Sequence, residues 1–582
     1  MGRVSGTEIS PYWQKLEACV LAGLLSPVER LFAISLLSKE EDESCALFLA
    51  YLMAISRAGH LSLTIEGGYL RPDPLHFFSS DGQDLAMLQE LSLQITRGAS
   101  SLPRTAHPFV GQFGNRFYLK RHEILEESVA HHLTRLCDAT LTKPVDLVAV
   151  NARLTTLMSE GLVTDEQAAA IRTASQGTLT LLTGGPGTGK SYTATHLLKL
   201  LLSLSPQEVA LAAPTGKAAS HLKESLAMAC TDGADGAERS TIDVKTLHSL
   251  LKIRPGVPPK IDRLPYDLII VDEASMIDVE LMAHLLAAVK GGARLVLMGD
   301  SHQLPAVDAG SLFSDLIAGA EELPALQGRL ARLQKSQRTE REGLNALAEA
   351  VNRGDLKALF AVTENETAGI ERIDLSTLQQ SRFDRLVSER FPMPSRDVES
   401  VNKELLAEFD AFRLLSPVRK GPYGVEEINE RLLKLFRRTH SRGGLFVIPI
   451  LIQRSNSTLD LYNGDVGLLA RRDPYTSSPD DFALFRRGGE ELRLPAPLLP
   501  PFEPAYCLSI HKSQGSEYRE VMVALPDGVP LLSRELLYTA ITRAKRNLTL
   551  IASDETLAAA LSQTSMRLSG LIDRLKCRGA LI

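Results

Sequence analysis

The stretch Leu179-Thr180-Leu181-Leu182-Thr183-Gly184-Gly185-Pro186-Gly187-Thr188-Gly189-Lys190-Ser191 decides the fold. Its first half, the run from Thr178 to Thr183, is uncharged and reads as a buried strand. Its second half is a complete GxxxxGK[ST] loop. The glycines let backbone N–H groups close around a phosphate, and the loop opens a helix whose N-terminus favours anions. Strand, phosphate-binding turn and helix in that order are the first unit of a parallel α/β sheet.

Further along, Leu268-Ile269-Ile270-Val271-Asp272-Glu273 is a second buried strand, ending in two carboxylates. In this pairing Lys190 reaches the β- and γ-phosphates, Ser191 and Asp272 hold Mg²⁺, and Glu273 orients or deprotonates the attacking water. The two motifs together imply hydrolysis of ATP or GTP. Gly299-Asp300-Ser301-His302-Gln303-Leu304-Pro305 closes a third candidate strand, and a glutamine at such a tip can sense the γ-phosphate.

Composition sets the frame. With 582 residues, several domains are expected. A hydrophobic fraction of 44% and a charged fraction of 23% are those of an ordinary globular protein. The formal charge of −6 argues against a nonspecific DNA coat, although a basic channel can sit within an acidic protein. The six cysteines include no CxxC pair and read as reduced core thiols, not a zinc or iron–sulfur site. The longest apolar stretch, Cys45 to Ile55, is too short to span a membrane. No signal segment opens the chain, so a cytoplasmic enzyme is expected.

Three regions follow from the patterning. Residues 1–150 carry helical periodicity from Pro11 to Leu37, from Ser44 to Ala58 and from His122 to Cys137, with strand-like segments at His60–Ile65 and Arg116–Lys120. A mainly helical interaction domain is expected there. Residues 151–355 alternate strands and helices, with strands at Leu179–Leu182, Val209–Ala212, Leu268–Val271 and Leu295–Met298. Two polar insertions, 231–240 and 252–265, interrupt this region; Pro255, Pro258 and Pro259 make the second a projecting loop or hairpin outside the core. Residues 356–582 form a second α/β unit with a β-rich segment at 445–500, expected to be a small barrel insert.

The remaining motifs lie at strand ends of both halves. Pro214-Thr215-Gly216-Lys217, Thr246-Leu247-His248 and His511-Lys512-Ser513-Gln514-Gly515 carry donors suited to successive phosphates of a single strand. Arg338 and Arg543 lie outside the first half and are candidate arginine fingers, the latter within Tyr538-Thr539-Ala540-Ile541-Thr542-Arg543-Ala544-Lys545.

The ordered series Gly184–Ser191, Ala213–Ala219, Thr246–His248, Val271–Ser275, Gly299–Pro305, Arg338, Ile510–Glu517 and Tyr538–Lys545 resembles superfamily 1 DNA helicases. Within them it is similar to the RecD branch, the alpha subunits of exodeoxyribonuclease V (the RecBCD complex), through Ala213–Ala219, Val271–Asp278, Leu415–Arg419 and Gly424–Asn429. The resemblance implies an α/β fold of two RecA-like motor lobes, the second with an SH3-like insert. It implies ATP as fuel, with Gln167 reading the adenine, Gly184, Gly185, Pro186, Gly187, Thr188, Gly189, Lys190 and Ser191 around the phosphates, and Glu517 supporting the nucleotide-side loop. Lys190, Glu273, Gln303, Arg338 and Arg543 would carry hydrolysis, with Mg²⁺ on Ser191 and Asp272. Thr215, Lys217, His248, His511 and Lys512 would face DNA.

The family translocates 5′ to 3′ on single-stranded DNA. Its RecD members act at duplex ends in a heterotrimer with RecB-like and RecC-like subunits, in double-strand-break repair and homologous recombination. The stretch between His248 and Asp272, where the family places a strand-separating hairpin, is short here and proline-rich. Residues 375–409 match no part of that pattern. Two rivals are a free-standing RecD-like helicase and a nucleotide-dependent switch or scaffold. No compact Asp/Glu–x–Lys constellation stands outside the lobes, so the chain is expected to cut no DNA itself.

Overall fold

A computed structural model describes residues 13–37, 42–78, 85–102, 108–230, 241–254, 256–335, 342–364, 369–392, 395–440, 444–487, 489–529, 532–565 and 567–579. The insertion at 231–240 and Arg338 therefore lie outside the described residues.

The N-terminal region is less helical than its periodicity suggests. The expected helical stretch to Leu37 is two helices, Gln14–Leu21 and Pro27–Leu36, parted at Gly23, whose φ is +72°. Ser26 and Glu29 close a capping box at the second. Helices Glu43–Arg57, Leu85–Ser101 and Lys120–Asp138 pack with a four-stranded antiparallel sheet. Its strands are β1 (Ser62–Glu66), β2 (Tyr69–Arg71), β3 (Val110–Phe113) and β4 (Arg116–Leu119), ordered β2-β1-β4-β3. β1 and β4 fall on the two strand-like segments, whereas β2 and β3 carry no such pattern and are recruited by pairing.

The next sheet holds the phosphate loop. It comprises β5 (Leu179–Gly184), β6 (Glu208–Ala213), β7 (Thr241–Thr246), β8 (Leu268–Val271), β9 (Arg294–Gly299) and β10 (Leu330–Leu333), all parallel, ordered β10-β5-β9-β8-β6-β7. The four expected strands are present. The central ones are buried along their lengths, which is why continuous apolar runs mark them. Edge strands β7 and β10 carry Asp243, Lys245 and Arg332, and escaped notice for that reason.

In chain order the second lobe adds β11 (Ile370–Ile373), β12 (Ser395–Arg396), β13 (Phe412–Ser416), β14 (Leu445–Ile452), β15 (Val466–Arg471), β16 (Phe482–Arg487), β17 (Glu490–Pro495), β18 (Phe502–Pro504), β19 (Cys507–Ser509), β20 (Tyr518–Ala524) and β21 (Ala544–Ile551). A parallel sheet runs β11-β21-β20-β13-β19. An antiparallel sheet runs β12-β14-β15-β16-β17, with β18 also on β14. Its pairings follow an open path among the described residues, and its strands extend past the expected limit of 500. The unplaced residues 375–409 supply Phe383, Val387, Phe391, Leu405, Leu406 and Phe409 to the core between these two sheets.

Two expectations are corrected. Residues 252–265 do not stand clear of the lobe, and no strand or hairpin occurs there among the described residues. Ile253 and Ile261 pack on the core, Leu264 is buried, and Leu264 N–H donates to Ala288 O at 2.9 Å. Around these three anchors the stretch faces solvent, at residues 256–260 and at Lys252, Arg254, Asp262, Arg263 and Pro265. Of the cysteines, Cys577 is exposed rather than a core thiol.

The chain finally returns to its N-terminal region. Helix Leu571–Gly579 lies against helix Lys120–Asp138, and Leu571 and Leu575 enter the core beside the first parallel sheet. Leu61 N–H donates to Leu568 O at 2.9 Å, and Gly570 N–H to Glu126 Oε1 at 2.7 Å. No described helix is long and apolar enough to cross a membrane.

Candidate nucleotide and nucleic-acid sites

The carboxyl ends of lobe one's parallel strands and the amino ends of β20 and β21 in lobe two face a cleft of about 790 Å³. Lobe one contributes Gly185–Gly187, Gly189, Lys190, Ser191, Asp272, Glu273 and Gln303; lobe two contributes Gly515, Glu517, Tyr518 and Arg543.

The phosphate loop is shaped for an anion. Gly187 and Gly189 have φ of +78° and +90°, positions that disfavour side-chain-bearing residues. Thr188 Oγ1 donates to Gly185 O at 2.8 Å and braces the turn. Lys190 Nζ donates to Gly184 O at 2.6 Å and Gly185 O at 3.2 Å, so its ammonium is held at the loop on bonds that phosphate oxygens can replace. Ser191 Oγ lies 3.5 Å from Asp272 Oδ2. A hydroxyl and a carboxylate converging there suit a hard cation such as Mg²⁺.

Glu273 sits at φ +53°, a strained geometry for a side-chain-bearing residue, and its N–H donates to Asp272 Oδ1 at 2.8 Å. The residue keeps part of its surface open to the cleft while its carboxyl is closely surrounded. Burial first, then neighbouring Asp272, pushes that carboxyl up to about 7; Arg543 and Lys190 oppose the rise. A Cβ on Gly515 would stand 3.8 Å from Glu273 Oε1, so the lobe-two loop meets the acid closely. Gln303 is 5% exposed and donates through Nε2 to Asp300 Oδ2 at 3.2 Å.

Arg543 lines the cleft and is 3% exposed, but its guanidinium is bonded to its own lobe: Thr539 O at 3.0 Å, Ser516 O at 3.1 Å and Thr542 Oγ1 at 3.2 Å. Gln167 is buried at the cleft wall. Its Oε1 accepts Thr164 N–H at 3.0 Å in a capping box that opens helix Asp165–Gln176. Glu517 faces Lys545 at 3.8 Å.

The candidate DNA groups divide. Ala213 of β6 pairs with Thr246 of β7, so Thr215 and His248 leave neighbouring strands at the same end. Thr215 Oγ1 accepts Ala218 N–H at 3.2 Å, and His248 is exposed. His511 and Lys512 are exposed just after β19, with Lys512 Nζ 2.5 Å from Glu503 of the β insert. Lys217 departs from this group: it lines the interlobe cleft, 5.9 Å from the Tyr518 ring centroid.

Comparison with known proteins gives this geometry a lineage. An AAA domain model matches residues 162–370, and a UvrD-like helicase C-terminal domain model matches residues 504–551. The RecBCD enzyme subunit RecD of Mycolicibacterium smegmatis is 36% identical over 81% of this chain and 86% of its own length. The chain belongs to the RecD family. The ATP-dependent RecD2 DNA helicase of Deinococcus radiodurans is 31% identical over 71% of this chain, which covers 52% of that protein. Among solved structures, a Pif1 helicase from Candida albicans aligns with 72% of this chain and 99% of its own, at a TM-score of 0.40 and 18% identity.

Within this RecD-family chain, sequence reasoning missed the groups that join the lobes. Leu304 N–H donates to Thr539 Oγ1 at 2.9 Å, while Gln514 Nε2 donates to Leu304 O at 2.9 Å. Tyr538 and Tyr518 also went unassigned. Their signal was present, since both flank motifs already read, but partners far apart in the chain are invisible without the fold.

Proposed function

We propose that this chain is an ATP-driven motor that translocates 5′ to 3′ on single-stranded DNA and unwinds duplex ends, acting as the alpha subunit of a RecBCD-type exodeoxyribonuclease V in double-strand-break repair. The observation that carries the reading is the interlobe cleft. It gathers Lys190, Ser191, Asp272, Glu273 and Gln303 from one parallel sheet against Gly515, Glu517 and Arg543 from the other.

The residues fit ATP and Mg²⁺. Lys190 exchanges its loop carbonyls for β- and γ-phosphate oxygens, and Ser191 with Asp272 holds the cation. Bound Mg²⁺ supplies charge neutralisation on the phosphate oxygens. Glu273 accepts the proton of the attacking water, Gln303 orients that water, and Arg543 trades a carbonyl for the charge building on the γ-phosphate. Arg338 is given the same part in this reading. Gln167 presents its amide to the adenine, and Glu517 with Lys545 supports the nucleotide-side loop. Lys217 serves the cleft, while Thr215, His248, His511 and Lys512 track DNA phosphates.

In this reading residues 1–150 dock a RecC-like partner and residues 151–355 and 356–582 are RecA-like lobes. Residues 445–500 act as a small barrel-like insert, and the enzyme is cytoplasmic. Nuclease chemistry belongs to another subunit. The Deinococcus similarity keeps a free-standing helicase as the second reading.

The test is ATP hydrolysis by the purified chain with and without single-stranded DNA, followed by unwinding of 5′- and 3′-tailed duplexes. Stimulation by DNA with activity on 5′ tails supports the motor. Nucleotide binding without DNA-stimulated turnover, even after RecB-like and RecC-like subunits are added, returns the chain to a switch or scaffold. Full unwinding by the chain alone favours the free-standing form.

A further inference from the structure

Asp300 is where the two lobes meet behind the hydrolysis cleft. It follows β9 and is 1% exposed. Its Oδ1 accepts His302 N–H at 3.0 Å, and its Oδ2 accepts both Gln303 Nε2 at 3.2 Å and the Tyr538 hydroxyl at 2.9 Å. Tyr538 comes from lobe two, on helix Arg534–Ile541, and is 3% exposed. Its hydroxyl also abuts the phosphate loop, since a Cβ on Gly185 would lie 3.3 Å from it.

A carboxylate only accepts hydrogen bonds, so the end of the Gln303 amide against Asp300 must be the N–H end. That leaves Oε1 turned the other way. Oε1 is buried and has no partner among the described residues, while Gln303 itself lines the cleft. A buried acceptor without a donor is costly, and it persists where a donor arrives in function.

Resting on the helicase reading above, we propose that Tyr538 is a positioning residue for ATP hydrolysis. From lobe two it fixes the Asp300 carboxylate, Asp300 holds the Gln303 amide by its N–H, and the amide oxygen faces the cleft to accept from the attacking water. Because Tyr538 belongs to the opposite lobe, the chain of bonds is complete only when the lobes are closed. Lobe closure and water positioning thereby become one event, which couples turnover to whatever closes the lobes.

The experiment measures DNA-stimulated ATP turnover of the full chain for wild type, Tyr538→Phe, Gln303→Ala and the double variant, with thermal unfolding alongside. Loss of one hydrogen bond to a charged group predicts a kcat about tenfold lower for Tyr538→Phe, with KM for ATP within about twofold of wild type. The proposal further requires that Tyr538→Phe cause no additional loss in the Gln303→Ala background, because both act through one amide. Asp300→Asn, which replaces one accepting oxygen with a donor, lowers kcat and is masked by Gln303→Ala in the same way.

A Tyr538→Phe protein with wild-type kcat, or losses that multiply in the double variant, overturns the proposal while leaving the motor reading intact. Wild-type protein with no DNA-stimulated turnover, even after RecB-like and RecC-like subunits are added, overturns both.

Discussion

Arg574 and Glu126 form an ion pair 2.8 Å long in which neither side chain is more than 5% exposed. Arg574 also reaches Glu127 at 2.6 Å, and its guanidinium stacks over Phe113 at 4.3 Å. Removing one member of such a pair strands a buried charge. Arg574→Ala is therefore expected to lose about 3–5 kcal/mol of stability, seen as a clear drop in the thermal midpoint. An unchanged midpoint would mean that this ion pair adds nothing to the folded state.

Lys190→Gln is expected to abolish ATP turnover with an unchanged thermal midpoint. The ammonium touches only loop carbonyls and is partly exposed, so its removal buries nothing new. Retained turnover would take the 184–191 loop out of the mechanism.

Arg543→Ala is expected to lower turnover by about 10³-fold or more, the range of arginine-finger losses. Its bonds to Thr539 O and Ser516 O add a stability cost that a lysine partly restores. Nucleotide binding, read by a fluorescent analogue, should survive in Arg543→Lys. If turnover tracks the thermal midpoint across both variants, the residue is structural and the finger assignment fails.

His60 links acid stability to the returning chain. Its Nδ1 accepts Leu568 N–H at 3.1 Å, and burial, then Arg567, lowers its pKa from 6.5 to about 4. A depressed folded-state value means that the unfolded chain binds the proton more readily. This group's stability contribution is thus complete above pH 6.5 and falls as pH drops towards 4. His60→Asn keeps an acceptor and should shrink the difference in thermal midpoint between pH 7.5 and pH 5, relative to wild type. An equal difference in both proteins would remove His60 from the acid response.

The sequence was most legible where one residue's environment sufficed. β5, β8 and β9 are buried on both faces and announce themselves as apolar runs, and the loop from Gly184 to Ser191 is specified by its glycines and lysine. It was least legible where structure depends on a distant partner. β2 and β3 exist by pairing with β1 and β4; residues 375–409 make sense only between the two sheets of lobe two that they pack against. Lys217 shows the same limit within the site: its motif placed it at a strand end, but only the packing of Tyr518 placed it in the cleft. The Asp300–Tyr538 bond spans 238 positions, beyond any local pattern.

The return of residues 567–579 to the N-terminal region, at His60, Leu61 and Glu126, has a practical consequence. The first motor lobe is not a contiguous stretch, because Leu571 and Leu575 complete its core from the far end of the sequence. A fragment cut at the boundary near 355 would carry an open apolar seam where they belong, and one cut after Ser562 would leave Glu126 without its cation. Dissection by truncation would therefore yield sticky, partly folded pieces, whereas point variants leave the closed circuit intact.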